Sequence, residues 1–257
     1  MREREEKIKD AIEEIVGVRP ETERAIPEEI EYQRRTYKIN DVLLISSSYD
    51  FFLVEESGRL EDIFEDIYHK VGIESIPQIR HIEDVDKSLD IVEELNPDLV
   101  IIFNELRETD VNELSKDIKK KSENLPLVFL SNNTPIIDQI KEKNEGEIEK
   151  IFTWNGDGRI LLSIIHYIED LVNLKNEDIR EKEERAILLI EDSVEFYSTY
   201  IHLIYEEIWT HLISIIDDSL TREQKLLRYK RRPFVIHSDN FEDGKEYYRR
   251  FEDNFLA

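Results

Sequence analysis

The sequence contains no cysteine and few helix-breaking residues, with 7 glycines and 7 prolines among its 257 residues. The absence of cysteine excludes disulfide bonds, thiolate metal sites and cysteine nucleophiles, and it agrees with a reducing compartment. No apolar run approaches the roughly 18 to 20 residues that a membrane-spanning helix needs. The N-terminal stretch MREREEKIKD is too charged for a signal peptide. We therefore expect a soluble, cytoplasmic protein with no membrane partner.

Basic residues are also few compared with acidic ones. The sequence has 35 lysines and arginines and 60 aspartates and glutamates, which gives a net charge of -25. This charge opposes binding to nucleic acid or to anionic membranes, so we expect neither as a partner. The six histidines show no metal-ligand spacing and are expected at surface or boundary positions. We expect one basic patch to contact acidic helices of the same chain. The patch consists of Lys225, Arg228, Lys230, Arg231 and Arg232.

What the sequence does contain is a regular alternation of short apolar runs with amphipathic segments. Residues 1–38 predict an N-terminal helical arm, and residues 39–174 predict one domain. The alternation in this domain predicts an α/β fold with a doubly wound, five-stranded parallel sheet. The predicted strands are DVLLIS (41–46), PQIRHI (77–82), PDLVIIF (97–103), LPLVFLS (125–131) and EIEKIFTW (147–154). The predicted helices are 60–72, 85–95, 111–123, 134–143 and 158–172.

A second, shorter series follows a charged linker at 175–185 and occupies residues 186–257. Its predicted elements are a strand in ILLIEDS, a helix at 194–216, the strand PFVIHS (233–238) and a helix at 241–254. This is about half of the first series. An isolated pair of strands leaves apolar faces uncovered, so we expect self-association here, or docking to the missing remainder of the unit. For the chain as a whole, a protein partner is expected.

The strand ends carry the residues that suggest a family. PDLVIIFNEL, VFLS and RAILLIEDS resemble receiver domains of two-component response regulators. The resemblance implies the flavodoxin-like fold, in which the first strand ends in two magnesium-binding acids and the third in the phosphorylated aspartate. It also implies a hydroxyl residue after the fourth strand and Lys-Pro after the fifth.

The first domain departs from this pattern at most of the chemical positions. Ser46, Ser47 and Ser48 replace the acid pair, and Phe103 stands at the phosphoacceptor position with Asn104 next. Ser131 retains the hydroxyl, whereas the fifth strand runs into TWNGD. The first domain therefore looks like a degenerate receiver, or pseudo-receiver, without a phosphoacceptor.

The second series has the acid pair of the receiver pattern but lacks the later strands of that pattern. Glu191 and Asp192 match the magnesium-binding pair, but no third strand with an aspartate follows. Magnesium is therefore a candidate ligand of this pair, and no cofactor is required. FTWNGDGRILLSIIHYIEDL and AILLIEDSVEFYSTYIHLIYEEIW also resemble the tandem receiver-like region ahead of pyruvate, water dikinase-type domains. That resemblance implies a phosphoenolpyruvate- and pyruvate-binding domain as a partner.

Structural interpretations compete with ligand binding at the first domain's strand ends. The serines at 46–48 and Ser131 could line a small ligand pocket, but serine before a helix more often caps it. Trp154 could cover a ligand, although the favoured interpretation is a turn at Asn155-Gly156 with Asp157 capping the next helix. Asp50 lies near the same rim, but it is too far along the sequence from the end of the first strand to replace the acid pair.

Together these features predict a non-catalytic signalling or regulatory module of pseudo-receiver type that acts through protein contacts. One alternative is a phosphoaccepting response regulator completed in trans, with magnesium at Glu191 and Asp192. Another is a small-ligand sensor at the first domain's strand-end rim. The candidate rim residues are Ser46, Ser47, Asn104, Ser131 and Trp154.

Overall fold

The computed structural model describes residues 37–58, 60–73, 75–104, 106, 109–176, 185–216 and 220–255. Within these residues the chain forms two compact units. The five-stranded unit comprises 39–64 and 75–161, and the two-stranded unit comprises 37–38, 65–73 and the described residues from 162 onward. The predicted arm up to residue 36 and linker residues 177–184 lie outside the described residues. The predicted domain boundaries stay predictions.

The five-stranded unit contains a parallel sheet with the strand order β2-β1-β3-β4-β5. This order is the doubly wound, flavodoxin-like arrangement, and it confirms the predicted fold class. The apolar runs of β3 and β4 are buried along their full length, as strands covered on both faces should be. The strands are β1 Asp41–Ile45, β2 Gln78–Ile82, β3 Leu99–Phe103, β4 Leu127–Ser131 and β5 Lys150–Thr153.

Helices follow each strand of this sheet, and the local sequence accounts for several of their ends. Asp84 and Asp110 accept hydrogen bonds from N–H groups in the first turns of α3 and α4, and Pro135 lies in the first turn of α5. The helix α1 was not predicted. The helices are α1 Ser48–Gly58, α2 Leu60–Lys70, α3 Val85–Leu95, α4 Val111–Lys121, α5 Thr134–Lys143 and α6 Ile160–Asn176.

The two-stranded unit pairs β6 Ala186–Ile190 in parallel with β7 Phe234–Ser238, as the two predicted strands require. A buried core in this unit contains Ala186 of β6, Phe234 and Ile236 of β7, and Phe251. Three helices are also described in this unit, and one of them, α8, overlaps the basic patch and was not predicted. They are α7 Val194–Ile215, α8 Arg222–Lys230 and α9 Phe241–Arg250, followed by a 3-10 turn at Glu252–Asn254.

The strand pairs β1–β2 and β6–β7 have the same internal register. Asp41 lies opposite Gln78, and Ala186 lies opposite Phe234, and each pairing continues through the ends of both strands. The two pairs are therefore equivalent residue for residue, although β1 has β3 on its other side. Within the described chain, no helix combines the length and hydropathy needed to cross a bilayer.

Candidate functional site

The carboxyl ends of β1, β3 and β4 bring a set of polar side chains together, where open parallel sheets usually bind ligands. Ser47 caps α1, because its Oγ accepts the Asp50 N–H at 3.0 Å. The same hydroxyl donates to the Asp50 carboxylate at 2.6 Å. The capping role predicted for this serine is therefore confirmed, and it orients the Asp50 carboxylate toward the rim.

Asn104 connects this carboxylate to the neighbouring strand. Its backbone is left-handed, with φ of 61°, a conformation that asparagine adopts more readily than most residues. Its Nδ2 donates to Asp50 Oδ1 at 2.9 Å, and its Oδ1 accepts from Ser131 Oγ at 2.9 Å. The Asn132 N–H also donates to that Oδ1, at 3.3 Å. An N–H group can only donate, so this contact fixes the amide with its NH2 group toward Asp50.

The donor set at this rim does not match a magnesium-assisted phosphoacceptor. Magnesium requires oxygen ligands, usually carboxylates, whereas the group facing Asp50 is an amide NH2. Phe103 is fully buried, and the residue that emerges from β3 at the rim is Asn104. Among the described residues, no three histidine, aspartate or glutamate side chains are grouped so that they could hold a metal ion.

Two of the predicted rim residues lie outside this hydrogen-bonded network. Ser46 is buried, and its Oγ donates to the Ser47 carbonyl at 3.1 Å. Trp154 is also buried and packs edge-on against Phe103, with ring centroids 5.1 Å apart. In this network Asp50 joins Ser47 to Asn104, and Asn104 in turn joins Asp50 to Ser131. The sequence places Asp50 near the rim but predicts no role for it.

The loop after β5 forms the turn that its sequence predicts. Asn155 Oδ1 accepts the Asp157 N–H at 3.3 Å, and Gly156 has φ of 94°. Asp157 Oδ1 in turn accepts the Arg159 N–H at 3.0 Å, just before α6 begins. Both hydrogen bonds confirm the structural interpretation of this segment.

Glu191 and Asp192 follow β6 at the equivalent end of the two-stranded sheet. Glu191 Oε1 accepts the Ser193 N–H at 3.1 Å, next to the start of α7, while Asp192 is exposed. His237 Nε2 lies 2.9 Å from the Glu191 carbonyl, and its Nδ1 lies 3.3 Å from Asp239 Oδ1. The magnesium site at Glu191 and Asp192 stays a prediction.

The histidine contact beside Glu191 has a counterpart in the five-stranded unit. His81 Nε2 lies 3.0 Å from the Ser46 carbonyl, just as His237 contacts Glu191. Each histidine is the fourth residue of the second strand, and each contacts the residue that follows the first strand. The equivalence of the two strand pairs therefore extends to side chains.

A buried charged cluster in the two-stranded unit was not predicted. Asp170 on α6 is fully buried, and its Oδ2 accepts from Arg232 Nη1 at 2.8 Å. The same oxygen accepts the Tyr205 hydroxyl at 2.8 Å and the Val235 N–H at 3.1 Å. For Arg232, these contacts confirm the expectation that the basic patch contacts acidic helices of the same chain.

His166 and Glu169 continue this cluster along α6. His166 Nδ1 lies 3.0 Å from Glu169 Oε2, and both side chains are buried. Burial lowers the pKa of His166, and the nearby Glu169 opposes that shift only in part. The expectation of surface or boundary positions is therefore wrong for His166, which lies in the stretch of α6, residues 160–170, that is buried on all sides. It is also wrong for His202 and His237, which are buried.

A small cavity lies beside the cluster. Its volume is 60 Å³, enough for a few water molecules, since each needs about 10–15 Å³. Two lysines and the Glu169 carboxylate bring opposite charges to its wall. The lining residues are Tyr37, Lys38, Ile73, Glu169, Asn173, Leu226, Tyr229 and Lys230.

Comparison with known proteins gives similarity to solved structures only, because no protein-family model and no curated protein matches the chain. The chain is similar to the response regulator domain of Thermotoga maritima CheB, at 17% identity over 54% of this chain and 91% of that chain, with a TM-score of 0.31. It is similar to the phosphorylated cyanobacterial phytochrome response regulator RcpA, at 18% identity over 54% and 96%, with a TM-score of 0.35. It is also similar to the adenylate cyclase from Rhodopirellula baltica, at 14% identity over 56% and 98%, with a TM-score of 0.39. The fold assignment itself rests on the strand order and register of the five-stranded sheet.

Proposed function

We propose that this chain is a non-catalytic signalling or regulatory module of pseudo-receiver type that acts through protein contacts. The observation that carries the proposal is the Asn104 amide, which joins Asp50 to Ser131 at the carboxyl end of the sheet. In receiver domains, this end holds the magnesium-binding acids and the phosphorylated aspartate. Here the polar groups of the rim bond to one another, so a phosphoryl group would have to displace them.

The two-stranded unit supports a tandem arrangement. Its strand pair repeats the register of β1 and β2, and His237 repeats the contact made by His81. We therefore propose that β6 begins a second, partial receiver-like unit. A phosphoenolpyruvate- and pyruvate-binding domain, the partner that the sequence resemblance implies, stays a prediction.

Phosphorylation of the full chain tests this function directly. We expect no added phosphoryl group in the intact mass after incubation with acetyl phosphate and magnesium chloride. A phosphoryl group that appears on the unchanged protein and is lost on Asp50→Asn would overturn the proposal. Its loss on Glu191→Ala would instead favour the phosphoacceptor completed in trans. Thermal stabilisation by small phosphorylated metabolites would favour the ligand sensor.

A pair of matched variants tests the role of the amide. Asn104→Asp puts a second carboxylate against Asp50, and the two charges repel until a divalent cation lies between them. We expect magnesium to raise the melting temperature of this variant. Asn132→Asp adds the same charge at an exposed neighbouring position, and its melting temperature should not respond to magnesium. An equal response of both variants would mean that the Asn104 amide does not exclude the cation.

A further inference from the structure

In the part of the chain that the structure describes, one edge of β6 has almost no neighbouring strand. β7 pairs with the opposite edge along its full length. Among the described residues, the only bridge on this edge joins Ala186 to Phe255, in parallel. In the five-stranded sheet, Asp98 donates its N–H to the carbonyl of Asp41, the counterpart of Ala186, at 2.8 Å where β3 begins. Phe255 therefore lies where a third parallel strand would start.

The hydrogen bonds at the two ends of β6 show which of its backbone groups face β7. The Phe234 N–H donates to the Arg185 carbonyl at 2.8 Å, and the Glu191 N–H donates to the Ser238 carbonyl at 3.1 Å. In a parallel ladder, alternate residues of a strand direct their N–H and C=O groups to opposite edges. Odd-numbered residues of β6 therefore face β7, and even-numbered residues face the other edge.

The even-numbered residues beyond Ala186 are Leu188 and Ile190. Within the described chain, no third strand accepts or donates a backbone hydrogen bond at either residue. We call their outward-facing N–H and C=O groups the open edge of β6. A donor and an acceptor at each residue make this edge a template for another strand.

The side chains of β6 are also more exposed than those of its counterpart β1. β1 (DVLLI) and β6 (AILLI) end in the same three residues, but residues 42–45 of β1 are at most 1% exposed. Ile190 is 42% exposed, and residues 187–189 are half-buried. β1 lies between two strands and β6 beside one, so a third strand would cover both apolar surface and backbone groups.

A second copy of the chain fits this edge poorly. Two-fold symmetry would pair β6 with its copy in antiparallel orientation, because such an interface uses the same patch on both subunits. Full overlap would then place Ile190 of one copy beside Ala186 of the other, where Phe255 already lies. A parallel segment that pairs with Leu188 and Ile190 has the same orientation as the bridge between Ala186 and Phe255.

We propose that the open edge of β6 binds an extended apolar segment of a partner protein as a third, parallel strand. The main-chain bonds would supply affinity, and the apolar side chains of β6 would select apolar residues. Glu191 and Asp192 follow β6 at the end where the segment leaves the sheet, which favours a basic residue after its apolar run. This proposal rests on the proposed function, action through protein contacts, and names one surface for such a contact. The phosphorylation test and the peptide test are separate, so failure of one is distinguishable from failure of the other.

Binding of a synthetic peptide to the full chain tests the proposal. The probe is a fluorescent peptide, LVIIFKK, which joins the β3 sequence Leu99–Phe103 to two lysines. We expect saturable binding in fluorescence anisotropy. The control peptide LVPIFKK should not bind, because proline removes a ladder donor. Absence of binding by LVIIFKK, or equal binding of both peptides, overturns the proposal.

Amide hydrogen exchange locates the bound peptide on the backbone. The N–H groups of Ile187 and Leu189 face β7 and should be protected with or without the peptide. Those of Leu188 and Ile190 should exchange fast in the free protein and slow at least tenfold when the peptide binds. Slowing that does not follow this alternation places the peptide elsewhere and overturns the proposal.

Two variants with the same chemical change provide the mutational control. Ile190→Lys adds a charge at the open edge, while Phe241→Lys adds one on α9, at a side chain that is 65% exposed. We expect only Ile190→Lys to weaken peptide binding, by at least tenfold. If Ile190→Lys fails to fold, the exchange pattern of the unchanged protein decides. A dimer in light scattering that dissociates only on Ile190→Lys would assign the edge to a second copy and overturn the proposal.

Discussion

At the scale of single residues, the two-stranded unit contains an ion pair that is buried beside β7. Arg232 is 3% exposed and bonds to the fully buried Asp170. Burial by itself lowers the pKa of Arg232, but Asp170, Tyr229 and Tyr205 hold that pKa above its ordinary value. The guanidinium therefore stays charged, and neither member of the pair can be removed without leaving a buried charge behind.

Replacing Arg232 with an apolar side chain should therefore be costly. We expect Arg232→Met to lower the free energy of unfolding by about 3–5 kcal/mol, because Asp170 is left buried without its counterion. Arg249→Met makes the same change at an exposed position on α9 and should alter stability by only about 0.5 kcal/mol. Urea unfolding followed by tryptophan fluorescence measures both. Equal effects would mean that Tyr205 and Val235 alone satisfy the Asp170 carboxylate.

Residues at strand ends could be predicted from the sequence, whereas partners distant in sequence could not. Ser47, Asn104 and Ser131 each stand at the end of an apolar run, so their meeting at one rim follows from the parallel sheet. Asp170 follows the apolar run of α6 and could be taken for a solvated acid, because its partner Arg232 is 62 residues away. No local pattern connects the two positions.

At the scale of elements, α9 packs closely against β6 through a glycine. A Cβ atom added to Gly244 would lie 2.5 Å from Cδ1 and 2.8 Å from Cγ1 of Ile190. Both distances are shorter than non-bonded carbons allow, so either the side chain or the helix must move. The absence of a Cβ atom at Gly244 therefore permits the close approach of the helix to the strand, although glycine in a helix interior is less stable than alanine.

We expect Gly244→Ala to destabilise the protein by about 1 kcal/mol, because an overpacking cost of about 1–3 kcal/mol exceeds the gain in helix propensity. In an Ile190→Ala background the clash is absent, and the same substitution should become stabilising by up to about 1 kcal/mol. A double-mutant cycle on urea unfolding measures this change of sign. Destabilisation by the same amount in both backgrounds would place the clash at another residue.

Every predicted strand is present, but two helices were missed, each for a different physical reason. In α1, the apolar residues at 51–54 are contiguous, so the segment lacks the helical periodicity on which such predictions depend. The segment of α8 was interpreted as a basic patch, so a local signal for the start of a helix was missed. Thr221 and Gln224 form a capping box at its start, a pattern that is visible in the sequence TREQ.

At the scale of the whole molecule, the dominant electrostatic property is the net charge of -25. Exposed ion pairs offset little of it. Lys116 and Glu145 lie 2.8 Å apart, for example, but their side chains are 40% and 72% exposed, and such pairs contribute about 0–1 kcal/mol. Folding brings the excess acids closer together than in the unfolded chain, so their repulsion opposes the compact state.

Salt should therefore stabilise this protein. Raising sodium chloride from about 0.01 M to about 1 M shortens the screening length from about 30 Å to about 3 Å, which suppresses repulsion between exposed acids. We expect the melting temperature to rise by several degrees, at about 2–4 °C for each kcal/mol gained. Buried pairs such as Arg232 and Asp170 are screened much less and should keep their contribution. A melting temperature that falls with added sodium chloride would instead mean that attraction within ion pairs outweighs the repulsion of the excess acids.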